Sequence, residues 1–190
     1  VQNRTIRDSD LAGKHVVSRV DFNVPLADGT IGDDTRIRRS LPTIRYAVDQ
    51  GATVILASHL GRPNGQWKQE LSLYPVATRL SALLEQPVAF STDCIGEKTT
   101  EAVSKIPSGG VVLLENLRFH SEEENNEQAF SEQLAKSSTA DVYINDAFGA
   151  AHRAHASTVG IVAHVKESAA GLLMAKEIDQ LGSLLSSPTH

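Results

Sequence analysis

Seven residues of this 190-residue chain have the types and spacing to do chemistry: Asp21, Asn23, Arg36, His59, Arg62, Arg118 and Arg153. Most follow a short apolar run. Lys14–Val20 leads into Asp21-Phe22-Asn23, and Thr53–Ala57 into Ser58-His59-Leu60-Gly61-Arg62-Pro63. Val111–Leu114 leads into Glu115-Asn116-Leu117-Arg118-Phe119. Asp141–Ile144 leads into Asn145-Asp146-Ala147-Phe148-Gly149 and on to His152-Arg153-Ala154-His155. Guanidinium forks bind phosphate and carboxylate bidentately. Asp21 and Asn23 add acceptors and a donor suited to reading hydroxyls. The chemistry implied is capture of a small, strongly anionic ligand, such as a phosphorylated hydroxy acid or sugar.

The runs that must position these residues read as strands. They are short, nearly continuous in apolar character and rich in β-branched residues, as strands buried on both faces of a parallel sheet are. A fifth run, Pro87–Phe90, has the same character. Amphipathic segments alternate with them. Helices are expected over Leu41–Gln50, with Pro42 in the first turn and Gly51 just past the end, and over Leu73–Glu85, with Ser72 as N-cap. Others are expected near Glu97–Lys105, Glu127–Lys136 and Ala169–Leu185. In the last, Met174, Ile178, Leu181 and Leu185 fall on one face. Asp28-Gly29 between extended segments marks a small hairpin. Glu122-Glu123-Glu124 reads as a solvated approach to a helix N-terminus. The pattern is α/β, a three-layer αβα fold around a mostly parallel, Rossmann-like sheet. In such sheets ligands bind outside the carboxyl ends of the strands, where the arginines collect.

Composition narrows the classes. Hydrophobic residues are 41% and charged residues 22%, ordinary for a globular domain. The net charge of −5 argues against a nucleic-acid partner, although it does not forbid a local basic pocket. No run is apolar enough to cross a membrane, and the first residues lack a signal-peptide core. The single cysteine, Cys94, excludes an internal disulfide and fits a reducing compartment, so a cytoplasmic location is expected. Cys94 is expected to pack as a small hydrophobe. Neither G-x-x-x-x-G-K-[ST] nor G-x-G-x-x-G occurs, and His152 and His155 lack ligand partners at metal-site spacing. No metal site is expected.

Taken together and in order, these motifs resemble phosphoglycerate kinase. Arg19-Val20-Asp21-Phe22-Asn23-Val24-Pro25-Leu26 is similar to the family's first signature. Asp33-Asp34-Thr35-Arg36-Ile37, Leu41-Pro42-Thr43-Ile44 and the segments carrying His59, Arg118, Asp146 and Arg153 also match, through Ala156-Ser157-Thr158. The resemblance implies the amino-terminal lobe of a two-lobed kinase. Residues 1–185 would form the 3-phosphoglycerate-binding domain and 186–190 would begin an interdomain linker. The resemblance assigns 3-phosphoglycerate or 1,3-bisphosphoglycerate to Asp21, Phe22, Asn23, Arg36, His59, Leu60, Gly61, Arg62, Arg118 and Arg153. His59, Arg62, Arg118 and Arg153 would hold the non-transferred phosphate, and Arg36 would act catalytically on the phosphoryl in flight. Mg-ATP or Mg-ADP would be the co-substrate, bound by a carboxy-terminal lobe that this chain does not match, so no cofactor is expected here. That lobe would be the protein partner, in a monomeric glycolytic enzyme. Alone, this lobe would bind 3-phosphoglycerate weakly, would be inactive, and would expose an apolar strip on Ala169–Leu185. Two other readings compete. Asp21-Phe22-Asn23 is superficially similar to a dehalogenase-type nucleophile motif, but Asn23 cannot act as its general acid. A non-catalytic anion sensor or protein-binding module fits a lobe with no phosphoryl donor.

Overall fold

The computed structural model describes residues 4–187. Strands β1 (His15–Arg19), β4 (Thr53–Ala57), β5 (Val88–Ser91), β6 (Val111–Leu114), β7 (Val142–Asn145) and β8 (Glu167–Ala170) form one sheet in the order β5-β6-β4-β1-β7-β8. All five pairings are parallel. Two further short strands, β2 (Leu26–Ala27) and β3 (Thr30–Ile31), form the expected hairpin. Asp28 and Gly29 both have positive φ there, +51° and +75°, as a type I′ turn requires.

The side-chain period of two divides each central strand between two cores. Val16, Val54, Leu56, Val111, Val142 and Ile144 face one side. They pack there with Ile37, Leu41 and Ile44 of α1 (Thr35–Asp49) and Val76 and Leu80 of α2 (Tyr74–Leu84). Val17, Ile55, Val112, Leu114 and Tyr143 face the other side. Val103 of α3 (Glu97–Ser104) and Phe130 and Leu134 of α5 (Gln128–Ser137) cover them. The result is the three-layer αβα fold with a wholly parallel central sheet.

Several expected boundaries move. Helix α1 starts six residues earlier than Leu41, because Asp33 Oδ1 accepts from the Thr35 N–H at 2.8 Å and Asp34 pairs with Arg38 one turn on. Pro42 therefore lies inside the helix rather than in its first turn. Leu73, not Ser72, precedes α2, although the Ser72 hydroxyl still accepts from the Tyr74 N–H at 3.2 Å. Strand β8 was not expected. Glu167-Ser168-Ala169-Ala170 has no β-branched apolar run, because it is an edge strand laddered with β7 and bridged on its other side only at Ala170, by Thr5. The last helix, α6, consequently spans Leu172–Ser186 rather than beginning at Ala169. It runs past the expected domain end at residue 185, and residues 188–190 of the expected linker lie outside the described residues. Among the described residues no helix is long and apolar enough to cross a membrane.

The four central strands, β6, β4, β1 and β7, have their carboxyl ends side by side. The arginines that follow them are brought to one rim by this strand order.

Candidate anion-binding site

A cleft of about 280 Å³ opens on that rim, lined by Asp21, Asn23, Arg36, His59, Gly61, Arg62, Arg118, Gly149, Ala150 and Arg153. Each central strand sends at least one residue to it, and α1 adds Arg36. Four guanidiniums face one carboxylate. Arg62 and Arg153 are exposed, and among the described residues neither makes a side-chain hydrogen bond or ion pair. Arg36 donates from Nη1 to the Asn23 carbonyl at 2.6 Å and lies 3.5 Å from Asp21 Oδ1. Its remaining N–H groups are left for a ligand. Arg118 is nearly buried. It donates to the Gly61 carbonyl at 3.3 Å, but its Nε is 3.6 Å from Glu124, too far for a hydrogen bond, and has no other partner. A buried donor with no acceptor costs free energy that an anion can offset. Burial, with Arg19 and Arg153 nearby, lowers the Arg118 pKa below its ordinary value.

The loops are set by local hydrogen bonds. Asn23 Oδ1 accepts from the Gly61 N–H at 2.9 Å, which ties the loop after β1 to the loop after β4. Gly61 itself has φ +63°, a left-handed conformation that favours glycine. Asn116 clamps the loop after β6. Its Oδ1 accepts from Leu60 N and Arg118 N, and its Nδ2 donates to the Leu60 and Leu71 carbonyls.

Beneath the cleft runs a buried network that sequence patterning did not single out. Arg19, on β1, is fully buried. It donates from Nη2 to His59 Nδ1 at 2.8 Å and from Nε to Ser157 Oγ at 2.9 Å. Ser157 in turn donates its hydroxyl and its backbone N–H to the two carboxylate oxygens of Glu123, which is also fully buried. Tyr143 of β7 donates to the Ser157 carbonyl at 2.7 Å. Strand β1 and the loops after β4, β6 and β7 are thus joined through one chain of polar contacts. Glu123, in the short helix α4 (Ser121–Glu124), is therefore an internal counter-charge to Arg19 and not a solvated residue of an acidic approach. The sequence signal available was weak: an arginine within an apolar run, which needs a distant acid that no spacing rule identifies.

This network also sets the protonation of His59. A guanidinium carries only donors, so the Nδ1 it contacts must accept, and the ring is neutral with its proton on Nε2. Burial first, then the charges of Arg19 and Arg118, pushes the His59 pKa down to about 2. His59 therefore offers the cleft a neutral N–H donor. Asp146, below the loop after β7, is buried and its pKa is raised to about 6 by that burial. Its Oδ1 accepts from Met174 N at 3.1 Å, which fastens the start of α6 to this loop.

Eight of the ten expected binding residues line the cleft with side chains or, at Gly61, with backbone. Phe22 and Leu60 do not: both side chains are buried in the core beside α1. Arg36 lies within the first turn of α1, not ahead of it.

Known proteins resemble this chain over nearly its whole length. The family model described as phosphoglycerate kinase matches residues 6–190. A phosphoglycerate kinase of Anaeromyxobacter sp. (strain K) is 57% identical over 190 residues, covering 98% of this chain and 48% of that protein. The structure of phosphoglycerate kinase from Coxiella burnetii superposes with a TM-score of 0.86 at 37% identity, over 98% of this chain and 46% of that one. Phosphoglycerate kinase from Pyrococcus horikoshii OT3 gives a TM-score of 0.88 at 35% identity, over 47% of its length. The chain spans about half the length of the curated relatives it matches.

Proposed function

Because the chain belongs to the phosphoglycerate kinase family, we propose that it is the substrate-binding part of an enzyme moving a phosphoryl group between 1,3-bisphosphoglycerate and ADP. The observation that carries this reading is the convergence of Arg36, Arg62, Arg118 and Arg153 on a cleft of about 280 Å³ with one opposing carboxylate. Ligand pockets begin near ~300 Å³, so the cleft suits a small anion and not a nucleotide.

Arg62, Arg118, Arg153 and the His59 Nε2–H hold the phosphate that stays on the substrate. Asp21 and Asn23 read the hydroxyl and carboxyl end. Arg36, at the other wall, lies toward the acyl phosphate and stabilises charge on the phosphoryl as it moves. Phosphoryl transfer asks the protein mainly for positioning and charge stabilisation, which an array of fixed guanidiniums supplies. The Mg-nucleotide is the second substrate. No described loop has the Gly-rich, Lys-containing form of a phosphate cradle, so the rest of the protein holds it. The chain alone therefore binds 3-phosphoglycerate weakly and does not turn over. The reading is completed by a monomeric, glycolytic enzyme in the cytoplasm; of these, only the reducing compartment has support here, from the buried, unpaired Cys94.

Isothermal titration tests this reading. Binding of 3-phosphoglycerate that weakens with salt, with no comparable ATP binding, is expected. Equal ATP affinity would overturn the assignment of the cleft.

A further inference from the structure

At the same rim, beyond Arg118, three metal-ligating side chains come together that the proposed reaction does not use. Asp93 and Cys94 lie on the loop between β5 and α3, and His120 follows the turn that carries Arg118. One ligand atom from each lies within 4.8 Å of the others. We propose that Asp93, Cys94 and His120 form a binding site for a thiophilic divalent cation of the Zn²⁺ class.

The loop is already shaped to present its two ligands. The Asp93 carbonyl accepts from the Ser91 hydroxyl at 2.6 Å and the Thr99 hydroxyl at 2.9 Å. Further along, Gly96 N–H donates to Ser137 Oγ at 2.8 Å, which ties the loop to α5. Asp93 Oδ1 accepts from Cys94 N–H at 2.7 Å and contacts His120 Nε2 at 2.8 Å, so the carboxylate and imidazole are already oriented toward each other. His120 also packs on the Phe130 ring, 5.3 Å between centroids. Cys94 is buried beneath, while the Asp93 and His120 side chains keep 38% and 28% of their surface in solvent. The site is thus open on the two-ligand side and closed on the sulfur side. Three protein ligands plus one water is the composition of an open tetrahedral zinc site.

The donor set decides the ion. Mg²⁺ and Ca²⁺ take oxygen ligands, whereas a thiolate with an imidazole selects Zn²⁺ or Co²⁺. Binding expels the Cys94 thiol proton and any proton that His120 holds against Asp93; both go to solvent and nothing is oxidised. Burial holds the thiol pKa well above its ordinary value, and the Asp93 hydrogen bond raises that of His120. Affinity should accordingly rise with pH. No spacing rule points to this cluster, because His120 lies far from Asp93-Cys94 along the chain.

The test is titration of the purified chain with Co²⁺. Because Cys94 is the single cysteine, a thiolate-to-cobalt charge-transfer band reports this site alone. One equivalent of Co²⁺ should produce the band, Zn²⁺ should bleach it and excess Mg²⁺ should not. Cys94→Ser should abolish it. His120→Gln and Asp93→Asn, at partly exposed positions that leave the core intact, should each weaken Co²⁺ binding at least about tenfold. No band at millimolar Co²⁺, a band that His120→Gln leaves unchanged, or displacement by Mg²⁺ would overturn the proposal.

Discussion

Two hollows of this molecule differ in what lines them, and the smaller one gathers the guanidiniums. The larger, about 1400 Å³, lies between the β2–β3 hairpin, α2 and the edge strand β5. Leu26, Trp67, Tyr74 and Phe90 give it apolar walls, and its charged residues, Asp28, Glu70 and Glu115, are all acidic. The smaller is cationic and lies over the four central strands. The difference lies in what stands beneath. Under the cleft, Glu123, Ser157, Arg19 and His59 form a continuous buried network. Under the groove, Glu115 is spent on structure: it accepts from Leu73 N, Asn116 N and the Ser72 hydroxyl. Volume follows from where elements diverge. Function follows from fixed charge, and central strands fix charge best because neighbours support their loops on both sides.

The strongest way to break this comparison is to remove the support. Glu123→Ala leaves Arg19 buried without a counter-charge and should destabilise the chain by about 3 kcal/mol in urea unfolding. A loss below about 1 kcal/mol would mean that the network is not what holds the cleft.

Next, Arg118→Met should weaken 3-phosphoglycerate binding at least about tenfold while leaving the melting temperature unchanged or higher. It removes a ligand contact worth about 1.5–3 kcal/mol and also a crowded, partly unsatisfied charge. Calorimetry and thermal unfolding on one sample separate the two effects. In the groove, Trp67→Ala and Tyr74→Ala should leave that affinity unchanged; a tenfold loss from either would move the site.

The pH dependence should differ in sign at two points below the cleft. The folded pKa of Asp146 is raised to about 6, so its contribution to stability is full below the ordinary carboxylate value near 4 and is lost as pH rises through 6. His59 is depressed to about 2, so its contribution is present above about 6.5 and declines as pH falls below that. Asp146→Asn should remove a loss of stability on going from pH 4 to 6. His59→Gln should remove a gain over the same interval. Equal slopes in the two variants would contradict both assignments.

The smallest effect is expected farthest from the rim. Leu184 and Leu185 are 74% and 88% exposed near the end of α6. Leu184→Lys with Leu185→Lys should shift stability by no more than about 0.5 kcal/mol and reduce the fluorescence of 1-anilinonaphthalene-8-sulfonate bound to the chain. Unchanged dye binding would place the apolar strip elsewhere.

Much of this is legible in the sequence alone. The five apolar runs are strands with boundaries moved by no more than one residue, because strands buried on both faces need nearly unbroken apolar sequence. Arg62, Arg118 and Arg153 could be gathered to one rim because parallel strands end on the same side. Strand β8 carries no apolar signature, because an edge strand can be built from Glu, Ser and Ala. The start of α1 lies ahead of its apolar period, where Asp33 accepts from the Thr35 N–H and Asp34 pairs with Arg38.

What the sequence alone determined, then, is local: the strand runs, the hairpin at Asp28-Gly29, and the cationic residues at strand ends. These depend on periodicities of two and 3.6 and on turn chemistry, which act over a few residues. Only the tertiary structure decided which partners meet. Arg19 finds Glu123 through Ser157, His59 is held neutral by burial and by Arg19 beside it, and Asp93 and Cys94 meet His120. Each of these joins loops far apart in the chain, and the order of strands in the sheet, not spacing along the sequence, sets their distances.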